Sequence, residues 1–205
     1  TEVTLSLSNG SAIVGTDTGL TYMVSFDGGT TYTAVTGNTV TVPPGATSFL
    51  VQVDTIDDTI FEGDEDYSLN ATANGTGDSG TGTITDNDSA PTVSSVTGDT
   101  VVEGNANTFT VSLSNPSATD TEVTLSLSNG SAIVGTDTGL TYMVSFDGGT
   151  TYTAVTGNTV TVPPGATSFL VQVDTIDDTI FEGDEDYSLN ATANGTGDSG
   201  TGTIT

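Results

Sequence analysis

The stretch VTLSL at residues 3–7 alternates apolar and polar side chains, so that three apolar side chains share one face. Successive side chains of a β-strand point to opposite faces, and this pattern is typical of a strand that is buried on one side. No stretch of the chain has the 3.6-residue period of an amphipathic helix. The same alternation returns at residues 40–42, 49–53, 67–71 and 109–113.

Groups of Gly, Asn, Asp and Pro separate these runs and predict turns. Asp27-Gly28 and Pro44-Gly45 are credible tight turns, and we interpret Gly75–Gly80 as a flexible hairpin. About seven to nine short strands per module, with turns at regular intervals, are typical of a sandwich. We therefore predict an all-β fold of antiparallel Greek-key β-sandwiches of the immunoglobulin type.

The chain contains an internal repeat. Residues 121–205 repeat residues 1–85 letter for letter, with a period of 120. We predict two modules in tandem, at 1–89 and 90–205, with the boundary near Ser89-Ala90-Pro91. The first module is expected to lack its first strands and the second its closing Asp-Asn-Asp, so the chain is expected to start and end inside a module.

The charge of the chain has one sign only. It holds 27 acidic residues and no Lys, Arg or His, for a formal charge of −27. No internal ion pair can relieve clustered carboxylates, so we expect a hard divalent cation between them. Binding to nucleic acid is excluded because no basic side chain can neutralise phosphate, and contact with an anionic membrane surface is excluded for the same reason.

The composition also argues against an enzyme. Without Cys and His, the chain has no thiol nucleophile, no thiolate zinc site and no Ser–His–Asp triad. Trp is absent and aromatic residues are few, so a sugar-stacking cleft has little to be built from. We predict a non-enzyme with no small-molecule substrate.

One segment carries most of the chemistry. Residues 57–66, DDTIFEGDED, hold six carboxylates in ten positions, and the segment returns at 177–186. We expect Ile60 and Phe61 to anchor this loop to the core. The carboxylates of Asp57, Asp58, Glu62 and Glu65 can then converge, while Asp64 and Asp66 point elsewhere. Calcium takes six to eight oxygen ligands in loose geometry, and such a loop suits it. A solvated acidic turn is the alternative.

Three motifs give the chain a resemblance to a known family. IDDTIFEGDEDYSL at 56–69, GTGTITDNDSAP at 80–91 and VVEGN at 101–105 resemble the Calx-beta domain of sodium/calcium exchangers. The periodic, acidic, Thr-rich setting looks most like the extender repeats of giant RTX-type bacterial adhesins.

The resemblance implies a set of calcium ligands, with Ca²⁺ as the cofactor and several ions per repeat. Asn stands at position 87, where the family usually has Asp. The implied ligands of the first copy are Asp57, Asp58, the carbonyl of Ile60, Glu62, Glu65, Asp86, Asn87 and Asp88. Those of the second copy are Glu103, Asp177, Asp178, the carbonyl of Ile180, Glu182 and Glu185.

The predicted function is a calcium-rigidified extender of a long repetitive cell-surface adhesin, which holds a distal binding domain away from the cell. Its partners would be neighbouring identical repeats of the same chain. The resemblance implies an extracellular protein of a Gram-negative bacterium, exported by type I secretion. The alternative is a repeated module that binds ice or a glycan by avidity.

Overall fold

The computed structural model describes all residues from Thr1 to Thr205 and contains strands but no helix. It therefore has no helix that could cross a membrane. Two compact units are present: the first comprises Thr1–Asp58 and Glu62–Asn87, and the second comprises Thr59–Phe61 and Asp88–Thr205. The all-β prediction is confirmed. The module boundary after residue 89 stays a prediction about the complete repeat.

The first unit consists of two sheets. One has the strand order β4-β1-β6-β7 and the other the order β3-β2-β5. The strands are β1 Glu2–Asn9, β2 Thr18–Ser25, β3 Thr33–Ala34, β4 Thr39–Thr41, β5 Leu50–Thr55, β6 Glu65–Ala73 and β7 Thr76–Ile84.

The second unit has two five-stranded sheets. Their strand orders are β13-β12-β15-β10-β8 and β14-β11-β16-β17-β9. The strands are β8 Val93–Gly98, β9 Thr100–Val101, β10 Ala106–Leu113, β11 Thr121–Asn129, β12 Met143–Ser145, β13 Thr153–Ala154, β14 Thr159–Val162, β15 Ser168–Asp174, β16 Glu185–Ala193 and β17 Thr196–Ile204.

The alternating pattern produces the core of the second unit. In β11, Val123 and Leu125 are fully buried while Thr124 between them is exposed. The inward side chains of both sheets meet in one cluster, where Phe109 of β10 packs edge-on against Tyr187 of β16 with 5.6 Å between the ring centroids. An edge-to-face arrangement is a favourable geometry for aromatic rings. The period-two pattern thus supplies both faces of the sandwich.

Three strands of the second unit, β8 to β10, have no counterpart in the first unit. β10 pairs with β15, whereas β5 in the first unit pairs only with β2. The inward side of the first unit is consequently open, and a cavity of about 460 Å³ lies among apolar residues that include Leu5, Val51 and Leu69. Its core is correspondingly smaller.

The structure differs from the sequence prediction in three details of the sheets. The second unit has ten strands rather than seven to nine, because it contains two two-residue strands, β9 and β13. One pair, β9 with β17, is parallel. The hairpin predicted near residues 75–80 is present, since β6 and β7 pair antiparallel, but its turn is limited to Asn74-Gly75, where both residues have positive φ, and β7 begins at Thr76.

Two glycines in β17 have a packing role that the sequence pattern did not indicate. A Cβ on Gly200 would lie 2.7 Å from the carbonyl oxygen of Val96, and one on Gly202 would lie 2.6 Å from the ring of Phe109. Only glycine permits these close approaches. The Gly-rich segment is therefore a strand over which β8 and β10 pack.

The duplicated sequence allows a matched test of core packing. Leu189 is fully buried, whereas Leu69, in the same sequence context, borders the open cavity. We expect Leu189→Ala to lower the free energy of unfolding of its unit by about 2–5 kcal/mol, as buried Leu deletions do. Leu69→Ala should cost clearly less. Urea unfolding followed by the amide resonances of each unit measures both, and equal losses would contradict the packing difference.

Candidate metal centre

The acidic loop of the first unit lies where strands β2, β5 and β6 come together. It connects β5 with β6, and Glu65 is the first residue of β6. Asp17 directly precedes β2, which pairs with β5, and the carbonyl oxygen of Asp17 accepts the N–H of Ile56 at 2.9 Å. Strand pairing therefore brings Asp17 to the start of the acidic loop.

Three carboxylates converge in the first unit. Asp17, Glu62 and Glu65 each offer one oxygen, and these oxygens all lie within 4.8 Å of one another. Asp17 is only 8% exposed, and its Oδ2 accepts the backbone N–H of Ile13 at 2.5 Å. A buried carboxylate with a backbone donor is fixed in place, so the cluster has one rigid member.

Asp86, which follows β7, holds the acidic loop by hydrogen bonds. Its Oδ2 accepts the backbone N–H groups of Glu62 at 2.8 Å and Gly63 at 2.6 Å. The side-chain amide of Asn87 donates to Oδ1 of Asp57 at 2.8 Å. Residues 86 and 87, which the sequence analysis assigned to the same site as the acidic loop, thus contact that loop directly.

The second unit contains two clusters that share Glu182. Glu103, Asp178 and Glu182 form one, and Asp137, Glu182 and Glu185 form the other; the ligand oxygens of each lie within 4.8 Å of one another. A cavity of about 150 Å³ lies beside them, lined by Glu103, Glu182 and Glu185 among others. Glu182 is therefore the central carboxylate of the arrangement.

The sequence analysis missed Asp17 and its copy Asp137. Each is the single acid of a segment Gly-Thr-Asp-Thr-Gly, at residues 15–19 and 135–139. The carboxylate of Asp137 accepts the N–H of Ile133 at 2.6 Å, as Asp17 does with Ile13. A signal was available in the sequence of the first unit. Asp17 directly precedes β2, and β2 pairs with β5, the strand that leads into the acidic loop.

The other predicted ligands lie outside these three clusters, and their assignment stays a prediction. Asp177 packs against Gly104, where a Cβ would lie 2.9 Å from the Cβ of Asp177. Asp58 and Asp86 add negative charge at Glu62 and Glu65. The predicted ligands that belong to no cluster are Asp57, Asp58, Ile60, Asp86, Asn87, Asp88, Asp177 and Ile180.

The side chains expected to point elsewhere do so. Oδ1 of Asp66 accepts the hydroxyl of Thr83 at 2.8 Å, and Oδ1 of Asp64 accepts the backbone N–H of Asp86 at 3.2 Å. Neither belongs to a cluster. Both carboxylates instead connect the loop and β6 to neighbouring backbone and side chains.

The expectation that Ile and Phe anchor the acidic loop to the core is wrong for the second copy. Phe181 is 97% exposed and Ile180 is 64% exposed. The core of the unit is built from side chains of the two sheets and does not include this pair. In the first copy, Ile60 and Phe61 are half-buried and belong to the second unit.

The pKa of each of the four cluster glutamates is raised above the ordinary value of 4.5. Burial is the first cause for Glu62, Glu65, Glu182 and Glu185, and repulsion by nearby carboxylates is the second. Without a cation, the folded protein thus holds these protons more tightly than the unfolded chain does. The repelling charges include Asp17, Asp58 and Asp86 in the first unit and Asp137, Asp178 and Glu103 in the second.

Asp27 and Asp147 behave in the opposite way. Asp27 accepts the hydroxyl of Thr31 at 2.6 Å and its N–H at 2.9 Å. These bonds hold the pKa of Asp27 below its ordinary range, and matching bonds lower the pKa of Asp147 to about 2. Their oxygens are occupied within tight turns at Gly28, which has φ of 75°, and Gly148, which has φ of 71°. The predicted turn is confirmed, and these acids are not candidate ligands.

The donor set of the clusters suits a hard cation. All its members are carboxylates, with no nitrogen or sulfur ligand, and hard cations such as calcium and magnesium prefer oxygen. Two oxygens on opposite sides of an ion are separated by about 4.6–5.2 Å for calcium and about 4.0–4.2 Å for magnesium. The oxygens of each cluster, which all lie within 4.8 Å of one another, are close enough to share one such ion.

The metal-free protein should be more stable near pH 4.5 than at pH 7.5. The glutamates whose pKa is raised contribute fully to stability below about pH 4.5. They lose that contribution as the pH rises through their folded-state pKa. The contribution of Asp27 and Asp147 is present above about pH 4 and lost at lower pH, which places the maximum between these ranges. Thermal unfolding with a chelator measures this.

Two variants that each remove one charge provide the control. Glu182→Gln should flatten the decline between pH 4.5 and 7.5, because it removes a raised glutamate and relieves its neighbours. Asp78→Asn, at a site outside the clusters, should leave the slope nearly unchanged. A stability that rises steadily towards pH 7.5 would show that the clusters are not repulsive.

A domain model described as the Calx-beta domain matches residues 21–93, 84–138 and 144–202. No curated protein matched. Among solved structures, CBD12 from CALX1.2 is 14% identical with a TM-score of 0.33 and covers 93% of this chain, which spans 66% of that protein's length.

Two further structures are similarly distant. The calcium binding domain CBD12 of CALX1.1 is 13% identical with a TM-score of 0.33, over 93% of this chain and 68% of that one. The E. coli alpha-2-macroglobulin is 14% identical with a TM-score of 0.30, over 88% of this chain and 10% of that one. Such likenesses do not bear on function. The domain matches, however, cover most of the sequence, and the chain therefore belongs to the Calx-beta family.

Proposed function

We propose that this protein binds calcium at its carboxylate clusters and serves as a calcium-stiffened extender within a long repetitive cell-surface adhesin. The observation that carries the calcium proposal is the sharing of Glu182 between two clusters. Five carboxylates meet there in a chain without a single basic residue, so only a cation from solution can balance their charge. The Calx-beta family membership supports the same assignment.

The carboxylates that would bind the ion come from different segments of each unit. Asp17 and Asp137 supply preoriented oxygens, because backbone N–H groups hold them. Glu62 and Glu182 come from the acidic loop, next to these oxygens. A bound ion supplies positive charge that lets all the carboxylates ionise together. Loops that repel each other without the ion would thereby be joined.

The extender role rests on the repeat. Residues 121–205 copy residues 1–85 exactly, and tandem copies provide length or avidity rather than new chemistry. The link Asp88-Ser89-Ala90-Pro91 is short, and Pro91 fixes its own φ and favours an extended Ala90. Asp86 and Asn87, which hold the acidic loop, directly precede this link. A stiff cluster next to a short link would restrict bending.

The setting of the protein follows from the same proposal. An acidic chain without Cys suits a calcium-rich medium outside the cell, where sites of modest affinity stay occupied. We propose an extracellular, surface-attached protein of a Gram-negative bacterium, exported by type I secretion. Its partners would be neighbouring repeats of the same chain, and it would have no enzymatic activity.

Calcium titration tests the metal proposal. Calcium at about 100 times its dissociation constant adds about 2.7 kcal/mol per independent site, so it should raise the melting temperature by well over about ten degrees. Magnesium should substitute poorly. Glu182→Gln should reduce the binding heat of the second unit more than Glu185→Gln or Glu103→Gln, because only Glu182 serves both clusters.

Asp78→Asn is the matched control, since Asp78 is exposed and lies outside the clusters. It removes the same charge and should leave the calcium isotherm nearly intact. If Asp78→Asn and Glu182→Gln lost equal amounts of calcium binding, the effect would come from the net charge of the chain and not from the clusters. A chelator that leaves the wild-type melting curve unchanged would contradict the proposal.

Small-angle scattering tests the extender role. An array of four repeats in millimolar calcium should scatter as a stiff rod whose length increases linearly with repeat number. With chelator, the joints should bend and the ensemble should broaden. A scattering profile of a freely jointed chain in calcium would contradict the proposed stiffening by calcium. Binding of the same array to ice or to a glycan panel would favour the alternative of a repeated ligand-binding module.

A further inference from the structure

The tripeptide Thr59-Ile60-Phe61 adds a short strand to an edge of the second unit. The N–H of Phe61 donates to the carbonyl oxygen of Pro116 at 3.1 Å, and the N–H of Ala118 donates to the carbonyl oxygen of Phe61 at 2.9 Å. Phe61 and Ser117 form a parallel β-bridge. Two reciprocal hydrogen bonds therefore fix Phe61 in register on the edge at residues 116–118.

The edge at residues 116–118 is itself well held. Ser117 is buried, and its carbonyl oxygen accepts the N–H of Gly165 at 2.8 Å on the side opposite to Phe61. The side-chain amide of Asn115 donates to the carbonyl oxygens of Ser89 at 3.0 Å and Pro116 at 3.2 Å. The edge at residues 116–118 is thus fixed by its own contacts and can pair with one more strand.

The second copy of the tripeptide, Thr179-Ile180-Phe181, has the same sequence but a different environment. Phe181 is 97% exposed and forms no β-bridge, whereas Phe61 is half-buried. The N–H of Ile180 donates to Oδ1 of Asp178 at 2.6 Å, but Phe181 lacks the β-bridge that Phe61 forms. Phe181 is therefore an almost fully exposed Phe at an unfilled pairing position. Because its sequence is identical, it can make every contact that Phe61 makes.

We infer that Thr179–Phe181 is a docking segment, and that its occupant is the edge equivalent to Pro116–Ala118 on a further copy of the same repeat. The inference rests on the tandem array of the proposed function, but it does not require calcium. The contact is a β-augmentation, in which main-chain hydrogen bonds provide affinity and the Phe side chain provides specificity. The pairing of Phe61 shows the geometry that the docked segment takes.

Hydrogen exchange of single amides tests this inference. The full chain is compared with a chain extended after Thr205 by a further copy of residues 86–205, which keeps the period. The Phe61 amide should be protected in both. The Phe181 amide should exchange rapidly in the 205-residue chain and at least about tenfold more slowly in the extended chain. An unchanged Phe181 exchange rate would overturn the inference.

Two matched substitutions separate docking from general effects. Phe61→Asp should speed exchange at the Ala118 amide, which donates to Phe61, while Phe181→Asp should leave Ala118 unchanged. In the extended chain, Phe181→Asp should speed exchange at the Ala equivalent to Ala118 in the added copy. The amide of Leu125, which donates to the carbonyl oxygen of Asn158 at 2.8 Å, reports that the unit remains folded.

The same extended chain distinguishes this inference from the calcium proposal. Protection of Phe181 without any calcium binding by titration would support docking and refute the metal role. Normal calcium binding with an unprotected Phe181 would refute docking alone. Loss of Ala118 protection in Phe181→Asp of the 205-residue chain would also refute it, because that residue has no such contact there.

Discussion

Repulsion among carboxylates that have no basic partner is the constraint on which the rest of this molecule depends. In most proteins, Lys or Arg would relieve such a cluster, and here none exists. The structure nevertheless brings three acids together in the first unit and five in the second. Burial and nearby carboxylates raise the pKa of Glu62, Glu65, Glu182 and Glu185, which is the sign of an arrangement that is costly on its own. A fold that concentrates this cost at one set of loops is suited to an external cation.

The fold was predictable from the sequence because its signal is local. The alternation at residues 3–7 became β1, and its copy became β11 with Val123 and Leu125 buried. The Pro44-Gly45 turn followed from residue chemistry, with Ala46 bonded back to Pro43. The strand at Thr76–Ile84 could not be predicted, because its glycines are explained by β8 and β10 packing over the equivalent strand β17, a contact between distant segments.

The candidate site was predictable in part, for the same physical reason. Glu62 and Glu65 lie within eight residues of Asp58, so their approach follows from one loop. Asp17 lies far from them in sequence and reaches them only through the pairing of β2 with β5. The two copies make the point again: Tyr187 is fully buried beneath Phe109, while Tyr67, with identical neighbours, remains half-exposed.

The duplicated segment places two tasks on adjacent residues. In the second unit, Glu182 is shared by two carboxylate clusters, and the preceding residue, Phe181, projects into solvent. An ion held by Glu182 would fix the loop backbone on which Phe181 stands. Ordering a segment before it binds lowers the conformational entropy that is lost on binding. Under the two proposals, calcium would therefore strengthen docking between repeats without contacting the partner, and stiffness would arise from order within one loop.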